Sequence, residues 1–129
     1  MLTMIAFALL AGAPPAAAGS DGFVERVQRA KMLESSATGP AYQKQFWDKT
    51  RQPMTDALRS CIASNAPADK SPFTLVADIT PDGHPLNVDV RSPTPVARCL
   101  AGQFSVWTFP TPPKATGSVN YPIEIDVSM

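Results

Sequence analysis

The stretch FTLVADITPDGHPLNVDVRS, residues 73–92, decides the fold. Phe73, Leu75, Ala77 and Ile79 alternate with Thr74, Val76, Asp78 and Thr80, the period-two pattern of a strand with one better-buried face. Thr80-Pro81-Asp82-Gly83 is a turn with a mechanism. Pro81 presets φ at the first corner, and Gly83 accepts the left-handed conformation that a bulged hairpin requires. Leu86, Val88 and Val90 then alternate with Asn87, Asp89 and Arg91 as the return strand. An antiparallel hairpin is the expected centre of the molecule.

Downstream, Ser92 to Pro95 caps a short helix with Val96, Cys99, Leu100 and Phe104 on its apolar face. Trp107-Thr108-Phe109 leads into the loop PTPPKATG. A last strand is expected from Val119 to Val127. It places Val119, Tyr121, Ile123, Ile125 and Val127 on one side and Asn120, Pro122, Glu124, Asp126 and Ser128 on the other. Pro122 cannot donate to a ladder, so this strand is expected to keep an open edge. Upstream, Asp21 can cap a helix to about Ser35, with Phe23, Val24, Val27, Ala30 and Leu33 on one face. Thr38-Gly39-Pro40 breaks it. A second helix from Ala41 to about Thr50 carries Tyr42, Phe46 and Trp47. Pro53 suits the first turn of a third, running to about Ser64 with Met54, Ala57, Leu58, Cys61 and Ile62 inward. Residues 65–72, NAPADKSP, read as a loop.

Composition bounds what such a chain can do. Its 129 residues fit one domain, and 11 Lys plus Arg balance 11 Asp plus Glu. Zero net charge argues against nucleic acid as a partner, because that role needs a basic patch. One His and two Cys supply too few ligands for a structural zinc site. Fourteen Pro, about twice the usual share, disfavour a long-helix bundle. Residues 2–13, LTMIAFALLAGA, precede Pro14-Pro15 and Ala16-Ala17-Ala18, the order of a secretory signal peptide with cleavage after Ala18. The run is too short and too interrupted for a membrane span. Export makes Cys61 and Cys99, with no third Cys, most simply one disulfide. Two buried free thiols are the alternative, and no C-x-x-C spacing supports a redox pair.

The second half resembles the TonB-type carboxy-terminal domain in its cysteine-paired variant, over about residues 54–128. The matching pieces are a helix ending in Cys61, then FTLVADITPDGHPLNVDVRS, CLAGQFSVWTFPTPP and VNYPIEIDV, with Gly83, Trp107, Phe109 and Pro110 at the signature positions. Over residues 54–128 the resemblance implies a β-β-α-β antiparallel sheet; with the N-terminal helices and the disulfide read from the residues, the expected fold class is α+β. The chain then divides into a signal peptide (1–18), a helical N-terminal segment (19–53), which lies outside the resemblance, and a TonB-C-like domain (54–129). The resemblance also implies a role in protein–protein coupling in the bacterial periplasm, where partner segments add as strands to a sheet edge. Val119, Tyr121, Ile123 and Ile125 are then the expected partner-binding residues. The chain departs from energy transducers of that family, since it shows neither a retained membrane helix nor a long Pro-rich spacer.

Each candidate site has a plainer reading. His84 reads as an exposed turn residue, since no Ser or Cys nucleophile with local context accompanies it. Asp78, Asp82 and Asp89 flank a hairpin and read as solvated strand positions, not as cation ligands. Glu124 and Asp126 lie two apart on one strand face, but nothing else suggests a glycosidase cleft. Trp107 and Phe109 read as core under the sheet. Tyr42, Phe46 and Trp47 either pack the helices onto the sheet or form an exposed patch. The expectation is therefore a non-catalytic domain with no cofactor and no metal, binding another periplasmic or outer-membrane protein, or forming a weak homodimer through the edge strand. A periplasmic inhibitor or immunity-type protein is the alternative. The exported chain should begin at Gly19. Intact-mass measurement checks this, and a mass retaining residues 1–18 would refute the leader.

Overall fold

The computed structural model describes residues 18–115 and 117–129. In chain order these form α1 (Ala18–Glu34), α2 (Gly39–Ser64), β1 (Phe73–Ile79), β2 (Pro85–Arg91), α3 (Pro95–Phe104) and β3 (Tyr121–Val127). The strands make one sheet in the order β2-β1-β3, antiparallel at both junctions. The α+β class and the antiparallel hairpin expected from the sequence are both present. The expected signal peptide lies outside the described residues except for Ala18, the first residue of α1.

The hairpin closes as its sequence dictates. Gly83 donates its N–H to the Thr80 carbonyl at 2.8 Å, and Thr80 donates to the His84 carbonyl at 2.8 Å. Gly83 has φ +86°, which a side chain would strain. There is a second reason for glycine. Phe109 donates its N–H to the Gly83 carbonyl at 2.8 Å, and a Cβ on Gly83 would collide with the Phe109 carbonyl oxygen. The segment after α3 is thus laid directly across the turn.

β1 decides how the layers stack. On one face Phe73, Leu75, Ala77 and Ile79 are buried beside their β3 partners Val127, Ile125, Ile123 and Tyr121. With Phe46, Leu100, Phe104 and Phe109, contributed by α2, α3 and the segment after α3, they make the main core. The Phe109 ring stacks on Phe46 with centroids 5.0 Å apart and lies 4.7 Å from Phe104. On the opposite face Val76 is also fully buried. α1 lies over that face, with Phe23 and Ala30 buried. The sheet is therefore sandwiched between helical layers.

Two sequence expectations change. α1 begins at Ala18, before Asp21. The helices expected at 41–50 and from Pro53 are one continuous helix, α2, with Pro53 inside it. A single buried stripe, Tyr42, Phe46, Thr50, Met54, Ala57 and Cys61, runs unbroken past the proline. Its spacing of three and four residues keeps one face on the core. Pro53 itself is exposed, so the intrahelical bond it omits is lost on the wet side, where water can replace it.

α3 opens as expected. Thr94 caps it by accepting from the Ala97 N–H at 3.1 Å, and Pro95 follows in the first turn. Cys61 of α2 and Cys99 of α3 are joined as a disulfide, with Cα atoms 5.7 Å apart and 38 positions between them. Closing that loop is worth at most about 3.9 kcal/mol in the chain-entropy account. Reduction is accordingly expected to lower the thermal midpoint by on the order of 10 °C. Melting curves with and without dithiothreitol check this, and superimposable curves would refute it.

Candidate functional site

The outer edge of β3 is the candidate site. Thr80 turns its main chain toward β2, since it donates to His84 across the hairpin. Main-chain groups alternate sides along a strand in an antiparallel ladder. Phe73, Leu75, Ala77 and Ile79 therefore face β3, and their partners Val127, Ile125, Ile123 and Tyr121 face back toward β1. That leaves the main chains of Pro122, Glu124 and Asp126 pointing outward. Pro122 offers only a carbonyl there, so its missing N–H costs the ladder nothing. Among the described residues no strand pairs with this edge.

The other outer strand is a poorer template. The β1–β2 register shifts between Val76 and Asp78, and Asn87 has φ +52°. Such a bulge twists an edge and interrupts its repeat. The β1–β3 register, in contrast, runs without a break from Phe73–Val127 to Ile79–Tyr121.

Of the four residues expected to bind a partner, the structure brings three into β3 and leaves one out. Tyr121, Ile123 and Ile125 point into the core and are 2%, 4% and 6% exposed. Val119 lies before the strand, which begins at Tyr121, and is 83% exposed. Gly117 at φ +76° and an isolated bridge between Ala115 and Ser118 place Val119 just after a turn. A segment arriving at this edge would meet the main chains of Pro122, Glu124 and Asp126. Below the far end of β3, a cleft on the core side is lined by Met54, Leu58, Ile62 and Met129.

The seam between α1 and the sheet carries the charge chemistry. Arg26 lies 3.6 Å from Asp78 and donates to the Asn87 carbonyl at 2.6 Å. The Arg91 guanidinium sits over the Phe23 ring, 4.5 Å from its centroid. Lys31 reaches Glu124 at 3.3 Å and Asp126 at 4.0 Å. Thr74 donates to Asp126 at 2.8 Å. The Lys31 ammonium is held above its ordinary range, chiefly by its hydrogen bond to Glu124. Sequence reasoning missed Glu34, the last residue of α1, whose carboxyl faces Glu124; burial is the first cause pushing it up to about 7. Tyr42 donates to the Pro110 carbonyl at 2.9 Å, and burial raises its phenol, as it does that of Tyr121.

The remaining candidates take their plainer readings. His84 is an exposed turn residue. Asp78 is engaged by Arg26 and Asn87, while Asp82 and Asp89 are exposed. Glu124 and Asp126 face α1 through Lys31 and line no described cleft. Tyr42 and Phe46 are buried and Trp47 half-buried against the core, so these aromatics pack the fold together. Phe109 is buried, and Trp107 packs against Phe104 at the edge of the core. Among the described residues no group of His, Cys, Asp or Glu is arranged to hold a metal ion, and no helix is long and apolar enough to cross a membrane. Comparison with protein families, curated proteins and solved structures finds no match.

These placements separate two substitutions. Ile123→Asp should abolish the cooperative thermal transition, because it buries a carboxylate in the core at a cost above about 4 kcal/mol. Val119→Asp should shift melting by less than about 2 °C. A folded Ile123→Asp protein would overturn the packing assignment.

Proposed function

We propose that this chain is an exported, non-catalytic protein-binding module of the TonB carboxy-terminal kind, which takes up an extended partner segment along β3. The observation that carries the reading is the regular outer edge of β3, with the main chains of Pro122, Glu124 and Asp126 turned away from β1. Strand addition draws its affinity from such main-chain groups and its selectivity from neighbouring side-chain pockets. The cleft of Met54, Leu58, Ile62 and Met129 supplies apolar surface just past the carboxy-terminal end of β3.

A periplasmic or secreted location suits the Cys61–Cys99 bond, since disulfides persist in oxidising compartments. The partner is then another periplasmic or outer-membrane protein. An inhibitor would present a loop or the aromatic helix to an enzyme, and burial of Tyr42 and Phe46 weighs against the helix.

Peptides selected from a random displayed library on residues 19–129 supply the test. They should protect the Glu124 and Asp126 amides from hydrogen exchange. Asp126→Pro removes an outward N–H while sparing the β1–β3 ladder; against Asp126→Ala, which loses the same side-chain contacts to Thr74 and Lys31, it should weaken those peptides at least tenfold at a similar melting temperature. Peptides that bind Asp126→Pro as well as Asp126→Ala, or that map away from β3, would sink the reading.

A further inference from the structure

We propose that Glu34 and Glu124 form a proton-dependent clasp that holds α1 on the sheet. The Glu124 side chain is only 6% exposed. Its Oε1 accepts from Lys31 Nζ at 3.3 Å, but its Oε2 is buried with no hydrogen-bond partner. A buried carboxylate oxygen without a donor is costly. Glu34 faces this carboxylate from the end of α1, within hydrogen-bonding reach. Protonated, its O–H supplies the donor that Oε2 lacks. Ionised, it turns the contact into a repulsion between two carboxylates.

The surroundings sharpen the choice. α1 contributes Lys31, the one cation facing the pair among the described residues, and β3 contributes Asp126 and Tyr121. From α2 comes Tyr42, whose hydroxyl is turned to the Pro110 carbonyl. On β1, Asp78 is already matched by Arg26, about two turns earlier in α1. With Glu34 ionised, three carboxylates face a single ammonium. A carboxylate at the last residue of a helix also opposes the helix dipole. Glu34 cannot withdraw easily, because the corner after α1 is tight: Ser36 donates to the Leu33 carbonyl at 3.1 Å, and a Cβ on Gly39 would collide with the Leu33 and Glu34 carbonyl oxygens.

The direction follows from linkage. Burial first, then the hydrogen bond and charge of Glu124, raise Glu34 from 4.5 to about 7. Between those values the folded state binds the extra proton, so stability declines as pH rises through the window and levels off above it. Loss of the clasp loosens α1, which covers Val76, and so the sheet's second face becomes accessible by local opening.

The test uses residues 19–129. The Glu34 carboxyl carbon should titrate near pH 7 by NMR. Protection factors of α1 amides, with the intrinsic pH dependence of exchange removed, should fall about tenfold or more between pH 5.5 and pH 8. Glu34→Gln keeps a permanent N–H donor toward Oε2 and should hold α1 protection constant within about twofold over that range. Glu124→Gln removes the opposing charge and should lower the Glu34 midpoint measurably, although burial still holds it above the ordinary carboxylate range. A Glu34→Gln protein that keeps the pH dependence of the unchanged chain, or a Glu34 that titrates as an ordinary carboxylate in it, would overturn the proposal.

Discussion

Burial of β1 on both faces is the constraint from which the rest of the structure follows. Leu75, Val76, Ala77 and Ile79 are all fully enclosed, although consecutive side chains leave a strand on opposite sides. A central strand of this kind needs cover above and below, at roughly 1.5–3 kcal/mol for each large apolar side chain removed from water. α2 and α3 supply one cover with a dense aromatic cluster. α1 supplies the other with few apolar groups, Phe23 and Ala30 among them, and with ion pairs across the seam. The two covers thus differ in kind: one is packed and cross-linked, the other is thinner and electrostatic.

That asymmetry explains what the sequence revealed and what it concealed. The hairpin was legible because Thr80-Pro81-Asp82-Gly83 is local turn chemistry between two alternating runs. α3 was legible because Thr94 and Pro95 announce its start. Pro53 misled, since a proline is a local signal for a helix start while the stripe from Tyr42 to Cys61 is a tertiary one that overrides it. Val119 misled for a related reason: its parity continues the alternation of β3, but Gly117 turns the chain before the strand begins. The role of α1 was concealed. Val76 was the one clue, an apolar residue on the nominally polar face of β1.

The candidate edge was half legible. Pro122 signalled an outer strand, which the sheet order bears out. The apolar alternation of Tyr121, Ile123 and Ile125 suggested binding side chains, yet alternation of that type is also how a strand fills a core. The ladder separates the two roles by residue parity: odd-numbered positions of β3 hold the fold, and even-numbered ones present the outward main chain. Glu34 and Glu124 were beyond reach of sequence reading, because only the fold of α1 onto β3 brings them together.

The bridge between Cys61 and Cys99 has a topological consequence. The covalent ring it closes runs from the end of α2 through β1 and β2 into α3, and so encloses the whole hairpin. α1 and β3 both lie outside the ring. They meet each other across the seam at Lys31, Glu124 and Asp126, so both are held to the ring by non-covalent contacts alone. The molecule thereby divides into a covalently closed kernel and flanking elements outside it, and the proposed binding edge belongs to the latter.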